Sequence, residues 1–175
     1  MVKPGLVQSP SVQKWLGGVE PAWTLLDLDS FSQLRSPPSS NASAIQLAPD
    51  LTENEFQLSA ITKSTLGFLE AASKTPGLKL TATGNLSRAV VADMCDIFDW
   101  PDFNKEERFR LNKVINETDF LPLFFVRHVA QFAKLVHRRK GYMKVTTAGR
   151  SILKHREALQ AVLFHTAFWN MDLGD

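Results

Sequence analysis

Cysteine is almost missing from this chain of 175 residues: Cys95 stands alone, which excludes an internal disulfide and any zinc site built from several thiolates. Long apolar runs are missing too. Nothing approaches the ~18 residues of a membrane span, and no apolar stretch follows Met1–Gly5 as an export signal would require. The expectation is a cytoplasmic chain with no membrane partner. There is no Gly-rich phosphate loop, no Ser/His/Asp order and no Cys/His pairing of a nucleophilic enzyme. His128, His137, His155 and His165 lack the i, i+4 spacing with an adjacent acid that a helical zinc site uses. Asp93, Asp96 and Asp99 recur every three residues, but no loop carbonyls supplement them as a hard cation needs. Asp27 and Asp29 alternate on an apolar stretch and read as a solvated face. No enzyme, no metal and no cofactor is expected.

What the chain does have is 44% hydrophobic and 22% charged residues, the proportions of a folded globular protein. A net charge of +2 conceals a segregation: residues 1–104 carry −4, residues 105–156 carry +9, and residues 157–175 carry −3. A basic block of this kind points to an acidic partner.

Residues 1–48 form a distinct region. Pro4, Pro10, Pro21, Pro37 and Pro38, the Gly17-Gly18 pair and the run Ser36-Pro37-Pro38-Ser39-Ser40-Asn41 have the composition of an arm and linker. Trp15-Leu16 and Trp23 to Leu28 are too apolar for a simple tail, so they are expected to dock on the main domain or on a second subunit.

The main domain is assigned to residues 49–175. Thr52 and Glu55 have the spacing of a capping box. Phe56, Ile61, Leu66 and Leu69 continue as a helical stripe that Thr75-Pro76-Gly77 closes. Leu78 to Thr81 reads as a short strand. A second helix then runs from Leu86 with Val90, Met94, Ile97 and Phe98 on one face. Residues 102–118 suggest a short charged helix. Thr118 or Asp119 caps a third helix whose first turn accepts Pro122. Around Leu135 it gives way to a β-hairpin with Arg139-Lys140-Gly141 at the tip, Gly141 supplying positive φ to a three-residue loop. A final helix spans Ala148 to Asn170.

Two phrases nearly repeat, Lys79-Leu80-Thr81-Ala82-Thr83-Gly84 and Lys144-Val145-Thr146-Thr147-Ala148-Gly149. Each reads as a strand running into a turn at Gly and then a helix. Two isolated short strands are stable only if each has a partner, so Leu78–Thr81 is expected beside Tyr142–Val145. The resulting order of helix, strand, helix, helix, hairpin and helix is that of a winged-helix-like, mainly α domain with a small β-hairpin and one extra short strand.

The basic block contains the hairpin. Arg138, Arg139, Lys140 and Lys144 put four fixed positive charges on or beside one loop, Arg127 and Lys134 lie on the polar stripe of the preceding helix, and Arg150 follows. Phosphate backbones reward such clusters through counterion release. The third helix has few polar side chains for reading base edges, so backbone contact to double-stranded DNA is expected rather than sequence readout. The alternative is a protein-interaction or assembly domain that binds no nucleic acid. Leu159, Phe164, Phe168 and Trp169 belong to a last helix that is apolar on nearly every side. Such a helix either pairs with a second subunit as a homodimer interface or folds back over its own domain.

The phrases Leu80-Thr81-x-x-Gly84-Asn85-Leu86 and Leu135-Val136-x-x-Arg139-Lys140-Gly141-x-x-x-x-Thr146-x-x-Gly149-Arg150 carry a resemblance over roughly residues 53–160. The chain resembles uncharacterised bacterial proteins of plasmids and mobile elements, some described as transposon-passenger proteins. Lys134 stands where such proteins often have Gly. The resemblance implies the winged-helix-like fold and implies no catalytic residue.

Overall fold

The structure is a computed structural model that describes residues 27–47, 52–100, 103 and 115–171. The chain divides into two compact units, Met1–Leu47 and Ala48–Asp175. In the first, helix α1 spans Leu28–Arg35. Asp27 is its N-cap and accepts from the Ser30 amide at 2.7 Å, so this carboxylate caps a helix instead of facing Asp29 in a pair. Its carboxyl is held below the usual aspartate range, first by the Ser30 amide and then by the Ser30 hydroxyl. The Pro/Ser run that follows makes hydrogen-bonded turns, with the Ser40 amide donating to Pro37 and the Ser43 amide to Ser40. The expected docking of Trp15 and Trp23 lies outside the described residues.

In the second unit the Thr52 hydroxyl accepts from the Glu55 amide and the Glu55 carboxylate accepts from the Thr52 amide at 2.9 Å, the reciprocal capping box that the spacing implied. The helix it starts is not continuous. α2 (Glu53–Leu58) stops and α3 (Ala60–Ser73) restarts at Ser59, whose hydroxyl caps the Thr62 amide. A serine that offers its own cap competes with the helix it interrupts. α3 buries Leu66, Phe68, Leu69 and Ala72.

β1 (Leu78–Lys79) pairs antiparallel with β3 (Tyr142–Val145), and β3 pairs with β2 (Val136–Arg139), giving the order β1-β3-β2. Leu78 sits opposite Met143 and Lys79 opposite Tyr142, so the first strand lies beside the strand the repeat assigned to it. The described residues are mainly helical, with one small three-stranded antiparallel sheet.

The two repeated phrases diverge in detail. After β1 the chain makes a turn closed by a Leu80–Leu86 bridge, with Gly84 at φ 86°, and helix α4 begins only at Arg88 (Arg88–Ile97). Leu86 therefore belongs to the bridge and not to the helix. α4 buries Val91, Met94 and Cys95; of the expected stripe Leu86, Met94 and Phe98 are buried and Val90 packs partly buried against the core, while Ile97 is exposed. In the second phrase Thr146 caps α6 (Thr147–Lys154), and Gly149 lies inside that helix.

The charged helix expected over 102–118 lies largely outside the described residues. Glu117–Asp119 forms a single 3-10 turn, in which Asp119 caps back onto Asn116, so neither Thr118 nor Asp119 caps the next helix. That helix, α5 (Leu121–Phe132), takes Pro122 in its first turn. It ends in a left-handed residue: Lys134 has φ 57°, its amide donates to Gln131 and the Leu135 amide to Ala130. This is the closure in which glycine is usual, and here lysine adopts it.

The expected single last helix is broken. α6 stops at His155 (φ −126°, ψ 61°), a 3-10 turn covers Arg156–Ala158, and α7 (Leu159–His165) runs into a π-turn at Thr166–Asn170. The core gathers Phe68, Leu69, Val91, Leu123, Val126, Val129, Met143 and Leu159, each essentially inaccessible.

Candidate nucleic-acid interface

Strand alternation divides the basic run. In an antiparallel pair, opposed residues share a face and neighbours along the strand point to opposite faces. Val136 opposes Val145 and Arg138 opposes Met143, so Arg138 extends from the core-side face of the hairpin. There its guanidinium packs on Gly84: a Cβ at that glycine would lie 2.6 Å from Arg138 Nη1. His137 opposes Lys144 and Arg139 opposes Tyr142, which places His137, Arg139 and Lys144 on the solvent face with Lys79.

The tip is tighter than the expected three-residue loop. Arg139–Tyr142 is the last pair, so Lys140 and Gly141 alone make the turn, at φ 50° and 75°. A two-residue hairpin turn with both central residues at positive φ matches the right-handed twist of its strands. Lys140 therefore projects from the end of the hairpin and is exposed.

At the base of the hairpin a cavity of 240 Å³ opens between the solvent face of the sheet, the α3–β1 turn and α6. Lys74, His137, Arg139, Lys144 and Arg150 line it, and among the described residues no carboxylate does. None of these five groups is ion-paired among the described residues. Two glycines flank its lining, next to Pro76 and Arg150. At Gly77 (φ 107°) a Cβ would lie 2.6 Å from the Met143 carbonyl oxygen, and at Gly149 it would collide with the Leu135 carbonyl. The Thr146 hydroxyl ties the same corner: it lies 2.8 Å from the Lys134 carbonyl and 3.1 Å from that of Leu135, and it accepts from the Gly149 amide at 3.0 Å.

Arg127 does not belong to this surface. It is 1% exposed, its Nη1 pairs with Glu117, its Nη2 donates to the Gly84 carbonyl at 2.8 Å and its Nε to Gln131 at 3.0 Å. The same Glu117 oxygen accepts from the Leu86 amide at 2.6 Å. This buried pair fastens α5 to the turn on which Arg138 rests. Its spacing from Gln131 and Lys134 resembles a solvated stripe, but Leu123 and Ala130, one helical turn to either side, mark its face as core. Lys134 is exposed at the end of α5, apart from the cavity lining. The residue that sequence reasoning passed over is Lys74, which lies far away in sequence and had no local signal; His137, the first residue of the basic run, joins the lining with Arg139.

The outward face of α5 carries Leu121, Phe124 and Phe132, all exposed. Of the expected dimer residues, Leu159 is inaccessible within the domain's own core. Phe168 is 65% exposed and packs at a tilt against Phe164 (ring centroids 4.7 Å apart), which in turn meets Trp169 at 5.6 Å. Among the described residues no group of three His, Cys, Asp or Glu side chains is placed to hold a metal ion, and Asp99 pairs with Lys63 at 3.5 Å. No described helix is long and apolar enough to cross a membrane.

Residues 57–158 match the Y4jL N-terminal domain family. The uncharacterized protein y4jL of Sinorhizobium fredii (strain NBRC 101917 / NGR234) is 35% identical over 82 residues, covering 47% of this chain and 37% of that protein. The matched stretch thus spans little more than a third of the relative. No solved structure matches the chain. The chain belongs to the Y4jL N-terminal domain family, in agreement with a resemblance to uncharacterised bacterial proteins.

Proposed function

We propose that this member of the Y4jL N-terminal domain family is a non-enzymatic, winged-helix-like module that binds the phosphate backbone of double-stranded DNA through its basic hairpin. The observation that carries the reading is the set Arg138, Arg139, Lys140, Lys144 and Arg150, none of which meets a carboxylate among the described residues. The element order α3-β1-α4-α5-β2-β3 and the sheet order β1-β3-β2 support the winged-helix description, with the hairpin as the wing. α5 would occupy the place of a recognition helix, yet its arginine is buried and its outward side chains are apolar. Base-edge readout needs polar groups there, so the contact is sequence-independent. A cytoplasmic location and a gene on plasmid or other mobile DNA are part of the same proposal.

The test is a salt titration of binding to generic duplexes of unrelated sequence. Binding at low salt that is similar across sequences and falls steeply with salt supports the reading. Absence of binding to DNA at low salt defeats it. A protein-interaction domain then takes its place, favoured by the exposed Leu121, Phe124 and Phe132 on α5 and by Phe168. Self-association through the Phe164, Phe168 and Trp169 cluster is the homodimer form of that second reading, and sedimentation of the unmodified protein as a monomer at high concentration defeats it.

A further inference from the structure

The cavity at the base of the hairpin asks for something that a groove along a backbone does not. Lys74, Arg139, Lys144 and Arg150 bring four fixed positive charges and His137 a fifth ionisable group to a space of 240 Å³. Convergence of like charges is unfavourable in itself, and directly opposed residues of like charge, as His137 and Lys144 are whenever the imidazole is protonated, weaken a sheet. The lining holds no carboxylate among the described residues to offset it. The arrangement is also built rather than accidental. Gly77 lets the α3–β1 turn approach β3 beside Lys144, Gly149 lets α6 approach Leu135 and Val145, and a Cβ at either position would displace a lining residue or its neighbour.

We infer that this cavity is an anion site that receives a phosphomonoester. Size argues for a small group, since the space lies below the ~300–1,000 Å³ usual for drug-sized ligands. Charge argues for a monoester: at neutral pH it carries about −1.5 to −2 and presents three strong acceptor oxygens, whereas an internal phosphodiester carries a single charge. Shape agrees, because a diester continues in both directions and must run across the mouth, while a terminal phosphate can enter. Arg139 and Arg150 offer planar donor forks for bidentate contact, and Lys74 and Lys144 act as point charges. Two sources share this chemistry, the 5′-phosphate end of a nucleic acid and a small free phosphate compound. The assignment goes beyond backbone binding and stands without it.

The experiment uses the full chain. Inorganic phosphate is titrated against chloride at matched ionic strength, with thermal unfolding and amide chemical shifts as readouts. Phosphate is expected to raise the Tm, with shifts centred on His137, Arg139, Lys144 and Arg150, and Arg150→Gln is expected to abolish both. Arg150 is exposed on α6, so the variant should fold, and the wild-type titration is decisive without it. No phosphate-specific response in the wild type overturns the assignment. A second arm compares one duplex bearing 5′-phosphate or 5′-hydroxyl ends. Preference for the phosphorylated end by roughly tenfold, the effect of one or two charge-assisted hydrogen bonds, identifies the nucleic-acid end as the source. Equal affinity for the two duplexes together with a phosphate response supports a small phosphate compound instead. If DNA fails to bind at all while phosphate does, backbone binding fails and the anion site remains.

Discussion

Glu117 and Arg127 form an ion pair with both side chains almost wholly buried, and the Leu86 amide donates to the same carboxylate oxygen that receives the guanidinium. The other Glu117 oxygen, Oε1, has no hydrogen-bond partner among the described residues. Arg127→Met alone strands a buried carboxylate, and breaking one side of such a pair costs roughly 3–5 kcal/mol. Urea denaturation should show that loss. Arg127→Met combined with Glu117→Leu should recover much of it, because a packed apolar pair removes both desolvation costs, although the Leu86 amide is then left without its acceptor. A double variant as unstable as the single one would show that the pair holds the turn rather than merely neutralising charge.

Two glycines of the hairpin region should respond differently to alanine. At Gly149 the new Cβ meets the backbone carbonyl of Leu135 and a methyl of Val145, neither of which can move alone. Overpacking of this kind costs about 1–3 kcal/mol, against the ~1 kcal/mol that alanine gains over glycine in a helix. At Gly141 none of the described residues lies within 4 Å of the new Cβ, so only the φ of 75° matters; the left-handed conformation costs roughly 1–2 kcal/mol for a residue with a Cβ. Denaturation midpoints should fall in both cases. Only Gly149→Ala should also disturb the chemical shifts of Leu135 and the cavity wall.

The capping box titrates. Glu55 is held below the usual glutamate range, chiefly by the Thr52 hydroxyl and then by the Thr52 amide. Because the folded pKa lies below the unfolded one, the cap's contribution is fully present above the unfolded glutamate pKa. It is lost as pH falls through the folded value. Thr52→Ala should move the Glu55 pKa upward toward the ordinary range in an NMR titration. An unchanged pKa would show that the hydroxyl is not what lowers it.

The sheet was legible because a short strand needs a partner and the two Lys-apolar-Thr phrases supplied matching candidates, now Leu78 opposite Met143 and Lys79 opposite Tyr142. The Thr52–Glu55 cap was legible because its spacing is local. What sequence periodicity missed was decided by contacts distant along the chain. Arg127 looked like a member of an exposed stripe until Glu117 and the Gly84 carbonyl claimed its guanidinium. Sequence left Leu159 between a partner and its own domain because the break at His155, beyond which α7 buries Leu159 in the core, leaves no local mark. Lys134 adopts the left-handed conformation because Thr146 and the Leu135 amide close the helix end around it, despite the missing glycine. The cationic cavity combines strand alternation, which divides Arg138 from Arg139, with Lys74 from a turn more than sixty residues earlier.

Binding of a generic duplex as a function of salt tests backbone recognition by the hairpin most directly, in the wild type and in a variant with Arg138, Arg139 and Lys140 all changed to Ala. Each phosphate contact contributes about −0.9 to the slope of log K against log salt. The variant should bind every sequence more weakly to the same extent and flatten the slope by about two to three units. Loss of the exposed Arg139 and Lys140 charges should leave stability within ~0.5 kcal/mol, while Arg138→Ala also removes the packing of its guanidinium on Gly84, so urea denaturation of the variant accompanies the titration. An unchanged slope in the variant, or no binding by the wild type at low salt, would contradict a backbone-binding hairpin.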